Sequence, residues 1–160
     1  MINMKVQNGI FDITSPEELF NSIEQSFKRY QDGRVKSIEL LLYIIMGLNH
    51  LREWIAPNYN HKEEPQNDGE RFYREIYLHD SFKTIQFLCN RTKHLQQTDI
   101  NTSSSHGLSF HEWPDIDSVN DFDKGPVTNY FVDDKNVIEI IRDVIEFYRN
   151  EWFSKKKNRT

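Results

Sequence analysis

"RVKSIELLLYIIMGLNHLREWIAP", residues 34–57, is the stretch that decides the fold. Within it Ile38, Leu41, Leu42, Ile45, Met46, Leu48, Leu51 and Trp54 recur at helical spacing and cover more than half of the circumference. Such wide coverage marks a central helix, from about Arg34 to Ala56, that is packed on several sides. Its longest apolar run, "IELLLYIIMGL", is about half the length of a membrane span. Pro57 ends it.

Upstream, Ser15-Pro16-Glu17-Glu18 reads as a helix start, with Ser as N-cap, Pro at the first helical position and Glu completing a capping box. Leu19, Phe20, Ile23, Phe27 and Tyr30 follow at helical spacing until Asp32-Gly33, and a short apolar lead-in before Ser15 suits a strand. Downstream, "PNYNHKEEPQNDGE" (57–70) is polar and aperiodic, and it is expected to be the least ordered internal stretch. The helical pattern resumes with Phe72, Ile76 and Leu78. At "LHDSF", Asp80 or Ser81 suits the cap of a fresh helix carrying Phe82, Ile85, Leu88, Cys89, Thr92 and Leu95 inward; one bent helix or two fit equally. After the turn-forming "QQTDINTSSSHG", the segments "LSFHEW" and "VTNYFV" predict a long-looped β-hairpin over about 105–133. Asp133-Asp134 is expected to cap a last helix with Val137, Ile138, Ile141, Val144, Ile145, Tyr148 and Trp152 inward. The fold class is therefore mainly α, a four- or five-helix bundle with a β-hairpin inserted before the C-terminal helix. It forms one domain over residues 1–153, followed by a basic tail, 154–160.

Composition narrows the function. With 160 residues, 37% hydrophobic and 13% aromatic, the chain can bury a core rich in rings. A net charge of −5 argues against bulk DNA or RNA binding, which needs clustered Lys and Arg; "SKKKNR" reads as a solvated tail, with a phosphate-binding arm as the alternative. The N-terminus lacks a signal core, no stretch spans a membrane, and the single Cys89 permits no internal disulfide, so a cytoplasmic protein is expected. The six glycines are isolated, which excludes a P-loop. His106, His111 and Glu112 do not converge on an alternating strand, and no metal site or cofactor is expected. Cys89 and His94 lie five apart, about 140° around a helix, so Cys89 reads as a buried structural thiol.

Three groups of residues carry candidate function. "FLCNRTKHLQQ" gathers Asn90, Arg91, Lys93 and His94 near a helix end, as ordinary C-terminal cations or as a site for an anionic group such as a phosphate. "EFYRNEWF" places Phe147, Tyr148, Trp152 and Phe153 on more than one face of the last helix, as core or as half of a homodimer or partner contact. "RFYREIYLHDS" separates Arg74 from His79 by four residues, the spacing of the Arg and His that mark HEPN ribonucleases.

With that pair on a helical bundle, and with Asn90, Lys93 and His94 on a helix before the hairpin and aromatic last helix, the chain resembles HEPN proteins and small bacterial proteins of similar length. The resemblance implies metal-independent RNA cleavage at a dimer interface, Arg74 holding the phosphate and His79 helping to move the 2′-hydroxyl proton. It also suggests a bacterial or phage conflict system, in defence or toxin–antitoxin pairing. The acidic charge favours a different leading expectation, a helical interaction module that binds a protein partner. Endoribonuclease activity and binding of a phosphorylated ligand are the alternatives.

Overall fold

A computed structural model describes residues 9–33, 36–93, 107–108 and 128–157. The fold is mainly helical, with a small antiparallel hairpin before the C-terminal helix. Helix α1 is Pro16–Asp32, α2 Ile38–Ile55, α3 Asp68–Leu78 and α4 Asp80–Lys93. Strands β1 (Gly107–Leu108) and β2 (Thr128–Asn129) pair antiparallel, as do β3 (Phe131–Val132) and β4 (Lys135–Asn136). The last helix comprises α5 (Val137–Tyr148), a π-helical turn (Arg149–Phe153) and α6 (Ser154–Lys157).

Helix α1 starts as its cap residues dictate. The Ser15 hydroxyl accepts from Glu18 N at 3.1 Å, the Glu18 carboxylate accepts from Ser15 N, and Leu19, Phe20, Ile23, Phe27 and Tyr30 are buried. Ahead of it Ile10 and Ile13 form an isolated bridge, and the rest of the expected strand lies outside the described residues. Helix α2 is central and touches α1, α3, α4 and α5. Its N-cap is Ser37, later than the expected start. Leu41, Ile44, Ile45, Leu48 and Leu51 are buried, but Ile38, Leu42 and Met46 are exposed, because the side of α2 away from its neighbours is left open.

Three further expectations are corrected by tertiary contacts. The 57–67 loop is ordered by its own rings: the Tyr59 hydroxyl donates to Glu63 O, Tyr59 lies edge-on to Tyr73, and His61 stacks on Tyr77 at 4.9 Å. Thr92, expected inward, is exposed on α4, whereas Phe82, Ile85 and Cys89 are buried; the α3–α4 junction, left open between one bent helix and two, is a break at which His79 caps α3 and Asp80 opens α4. Asp133 and Asp134 do not cap the last helix. Both have positive φ (48° and 62°) and form the two-residue turn between β3 and β4, the backbone sign that a tight hairpin needs, while Asn136 caps α5. His106, His111 and most of the expected β1–β2 hairpin lie outside the described residues.

The π-helical turn reconciles two core positions that an α-helix would splay. Tyr148 and Phe153, five apart, would point about 140° away from each other at α-helical pitch. In the wider turn, closed by Ser154 N donating to Arg149 O, both reach Phe20: Phe153 stacks on it at 4.4 Å and Tyr148 lies at 6.3 Å. The Tyr148 hydroxyl, fully buried, donates to Leu48 O at 2.8 Å and ties the last helix to α2.

Candidate functional site

The same turn shapes a groove between the last helix and α3. Phe72 of α3 forms the floor, with ring centroids 5.8 Å from Phe147, 5.4 Å from Tyr148 and 5.5 Å from Trp152. Two open depressions adjoin along it and share Glu151. The first, about 260 Å³, is lined by His79, Asp143, Glu146, Phe147 and Asn150. The second, about 350 Å³, lies between Trp152 and Phe72, with Asp68, Arg71, Glu75, Lys155 and Lys156 at its rim. Residues of the π turn line both, a placement in which such turns recur at functional sites.

Two polar atoms border this groove without a hydrogen-bond partner. His79 is half-buried at the α3–α4 break with its ring 4.8 Å from Phe147, and its Nδ1 is shielded from solvent and unbonded. Trp152 is half-buried, and its indole Nε1 is likewise shielded and unbonded. Around them, Asp143 accepts from the Ser81 hydroxyl at 3.0 Å, Arg71 pairs with Asp68 at 2.6 Å, Lys155 pairs with Glu151, and Lys156 reaches Glu17 on α1 at 2.8 Å. Among the described residues, the ion pairs do not include Glu75 or Glu146. The rim is thus acidic on balance: Asp68, Glu75, Asp143, Glu146 and Glu151 against Arg71, Lys155 and Lys156.

The candidates from sequence are distributed as follows. His79 and Phe147 meet in the first depression, and Trp152 lines the second. Arg74 is exposed, pairs with Glu64 at 3.1 Å, and lines neither depression, so His79 and Arg74 are held by different neighbours within one chain. Tyr148 and Phe153 are interior and unavailable as interface, which narrows the four expected contact aromatics to Phe147 and Trp152. Asn90 and Arg91 are exposed on α4, and the Arg91 guanidinium lies 5.5 Å from the Phe87 ring. The Lys93 side chain and His94 lie outside the described residues, and so does any convergence of that group. Among the described residues no group of His, Cys, Asp and Glu is arranged to hold a metal ion.

The sequence reading missed Asn49 and Arg52. Both are 5% exposed, and Arg52 is ringed by Tyr73, Phe82 and Tyr77 at 4.7, 4.9 and 5.6 Å. The Asn49 Oδ1 and the Arg52 Nε and Nη1 are buried without partners. The signal was present: Arg52 follows Leu41 and Ile45 on one face of α2, so a cation stood on an apolar stripe. Three ring faces stabilise it in place of a carboxylate.

Comparison with protein-family models, with curated proteins and with solved structures gives no match. No helix in the described residues is long and apolar enough to cross a membrane.

Proposed function

We propose that the protein is a helical interaction module that seats a segment of a partner protein in the groove along its last helix. The observation that carries this reading is the pair of shielded, unbonded polar atoms, His79 Nδ1 and Trp152 Nε1, beside one aromatic-floored groove. A buried polar atom left without a partner costs about 1–3 kcal/mol. A partner segment that draws the His79 and Trp152 rings outward far enough to bond these atoms recovers that cost and covers Phe147 and Trp152. The acidic rim favours a segment carrying Lys or Arg.

The test is binding of an arrayed set of peptides that combine basic and apolar residues, with the wild type, Trp152→Ala and Glu146→Lys compared. Binding lost in Trp152→Ala and weakened at least about tenfold in Glu146→Lys, a loss of about 1.4 kcal/mol, supports the reading. Peptide binding untouched by both substitutions sinks it. The endoribonuclease alternative rests on the Arg74–His79 spacing, and the conflict-system setting rests on the HEPN resemblance. A cleavage assay on structured RNA with EDTA separates them: the interaction module leaves RNA intact, whereas cutting abolished by His79→Ala would replace it.

A further inference from the structure

The histidine that meets Cys89 comes from α2, not from its own helix. His50 Nε2 lies 4.0 Å from the Cys89 sulfur, and on the other side of the ring His50 Nδ1 lies 3.1 Å from Glu53 Oε2. Thiol, imidazole and carboxylate therefore stand in line, the order in which a base activates a nucleophile and an acid orients the base. Glu53, three residues on along α2, sets the tautomer: a carboxylate accepting from Nδ1–H leaves Nε2 as the proton acceptor facing sulfur. Among the described residues, Glu53 from its own helix and Cys89 from α4 are the titratable groups in contact with the imidazole. Cys89 is 6% exposed and packs in the core, and the His50 side chain beside its sulfur is 51% exposed to solvent.

We propose that Cys89 is a reactive thiol that exchanges with small disulfides, with His50 as its base and Glu53 as a positioning residue. His50 Nε2 takes the Sγ–H proton. The thiolate attacks one sulfur of the incoming disulfide, and a Cys89–S bond forms as the disulfide's own S–S bond breaks. The leaving thiolate takes the proton from His50 and departs as a thiol. Cys89 is thereby oxidised to a mixed disulfide, and half of the incoming molecule is reduced. Because Cys89 is the only cysteine in the sequence, no second thiol in the chain resolves the adduct, which persists until an external thiol removes it. The cluster is thus a modification site that records the redox state of its surroundings.

The experiment is the rate at which 4,4′-dithiodipyridine, a small disulfide that releases a coloured thione, reacts with the folded protein from about pH 5 to about pH 10, where an ordinary thiol has a pKa near 8.5. Wild type, His50→Ala and Glu53→Gln are compared, each as its rate at about pH 6 divided by its own rate at about pH 10, where an ordinary thiol is mostly ionised, so that changed access cancels. His50 and Glu53 are exposed, so both variants keep the core intact. The wild-type ratio is expected to exceed that of His50→Ala by at least about tenfold, with Glu53→Gln between them. Equal ratios, a wild-type profile that rises only as an ordinary thiol ionises, or no reaction at any pH short of unfolding would each overturn the proposal.

Discussion

Tyr148 concentrates the physics of this fold in one side chain. Its ring is fully buried among Phe20 and Phe72, and its hydroxyl closes a bond to the α2 backbone. Tyr148→Phe removes that bond while keeping the ring, and is expected to cost about 0.5–1.5 kcal/mol in urea unfolding. Burial drives the Tyr148 phenol far above its ordinary value of 10.0, and burial also raises Tyr30 and Tyr73, the latter against an opposing pull from Arg52. The folded state therefore holds these phenols protonated. Stability should be level below the ordinary tyrosine range and fall as pH rises above it, because the unfolded chain releases the protons first. Stepped alkaline unfolding followed by phenolate absorbance checks this; ionisation of all seven tyrosines before the fold is lost would contradict it. At this scale local chemistry was legible and distant chemistry was not. The Ser15–Glu18 cap could be read because both partners lie within four residues. The Arg74–His79 spacing carried little, since nine Arg and six His in any order yield about one pair across the three spacings such a motif allows. His50 and Cys89 could not be joined from sequence, for 39 residues separate them.

Among elements, the π-helical turn holds one more residue than an α turn would between Tyr148 and Phe153. Deleting Asn150, which is exposed, leaves those two rings four apart, the spacing at which a regular α-helix puts both on one face. The shortened protein is expected to unfold cooperatively within about 2 kcal/mol of the wild type, inside the range of ordinary single changes. It should lose peptide binding, because the deletion also re-aims Glu151 and Trp152 relative to Phe147. Calorimetry with the peptide assay checks both; collapse of the fold would show that the wide turn is required for the core itself. Helix periodicity located α1, α2 and α5 because apolar stripes survive any packing. The π turn stayed hidden because a fixed 3.6-residue period is assumed in reading such stripes. Asp133-Asp134 misled because the same residue type suits a cap and a positive-φ turn, and the choice was made by pairing of β3 with β4. The polar 57–67 loop read as loose because nothing in its composition announces that Tyr59 and His61 find rings on α3.

Across the whole molecule, the last helix is tied back to the first at two points. Arg149 pairs with Glu24, and Lys156, in the segment read as a solvated tail, reaches Glu17 in the first turn of α1. Burial pushes the Glu17 carboxyl up, but the Lys156 contact, with its backbone bond, outweighs this and holds it below the usual 4.5. That contribution is present above the usual carboxylate range and fades as pH falls through the lowered value. Lys156→Ala is expected to cost only about 0.2–1 kcal/mol at low salt, and nothing measurable at high salt. Urea unfolding at both salt levels tests it, and a loss that persists in high salt would mean the lysine acts through packing. The bond from Tyr148 to Leu48 reaches across one hundred residues of chain, and it carries a consequence for biosynthesis. At a translation rate of about 5–20 residues per second, roughly 5–20 s pass between the addition of Leu48 and that of Tyr148. Throughout that interval Phe20 and the Leu48 carbonyl lack the rings of the last helix, so this part of the core stays open to chaperones that hold apolar surface until that helix arrives.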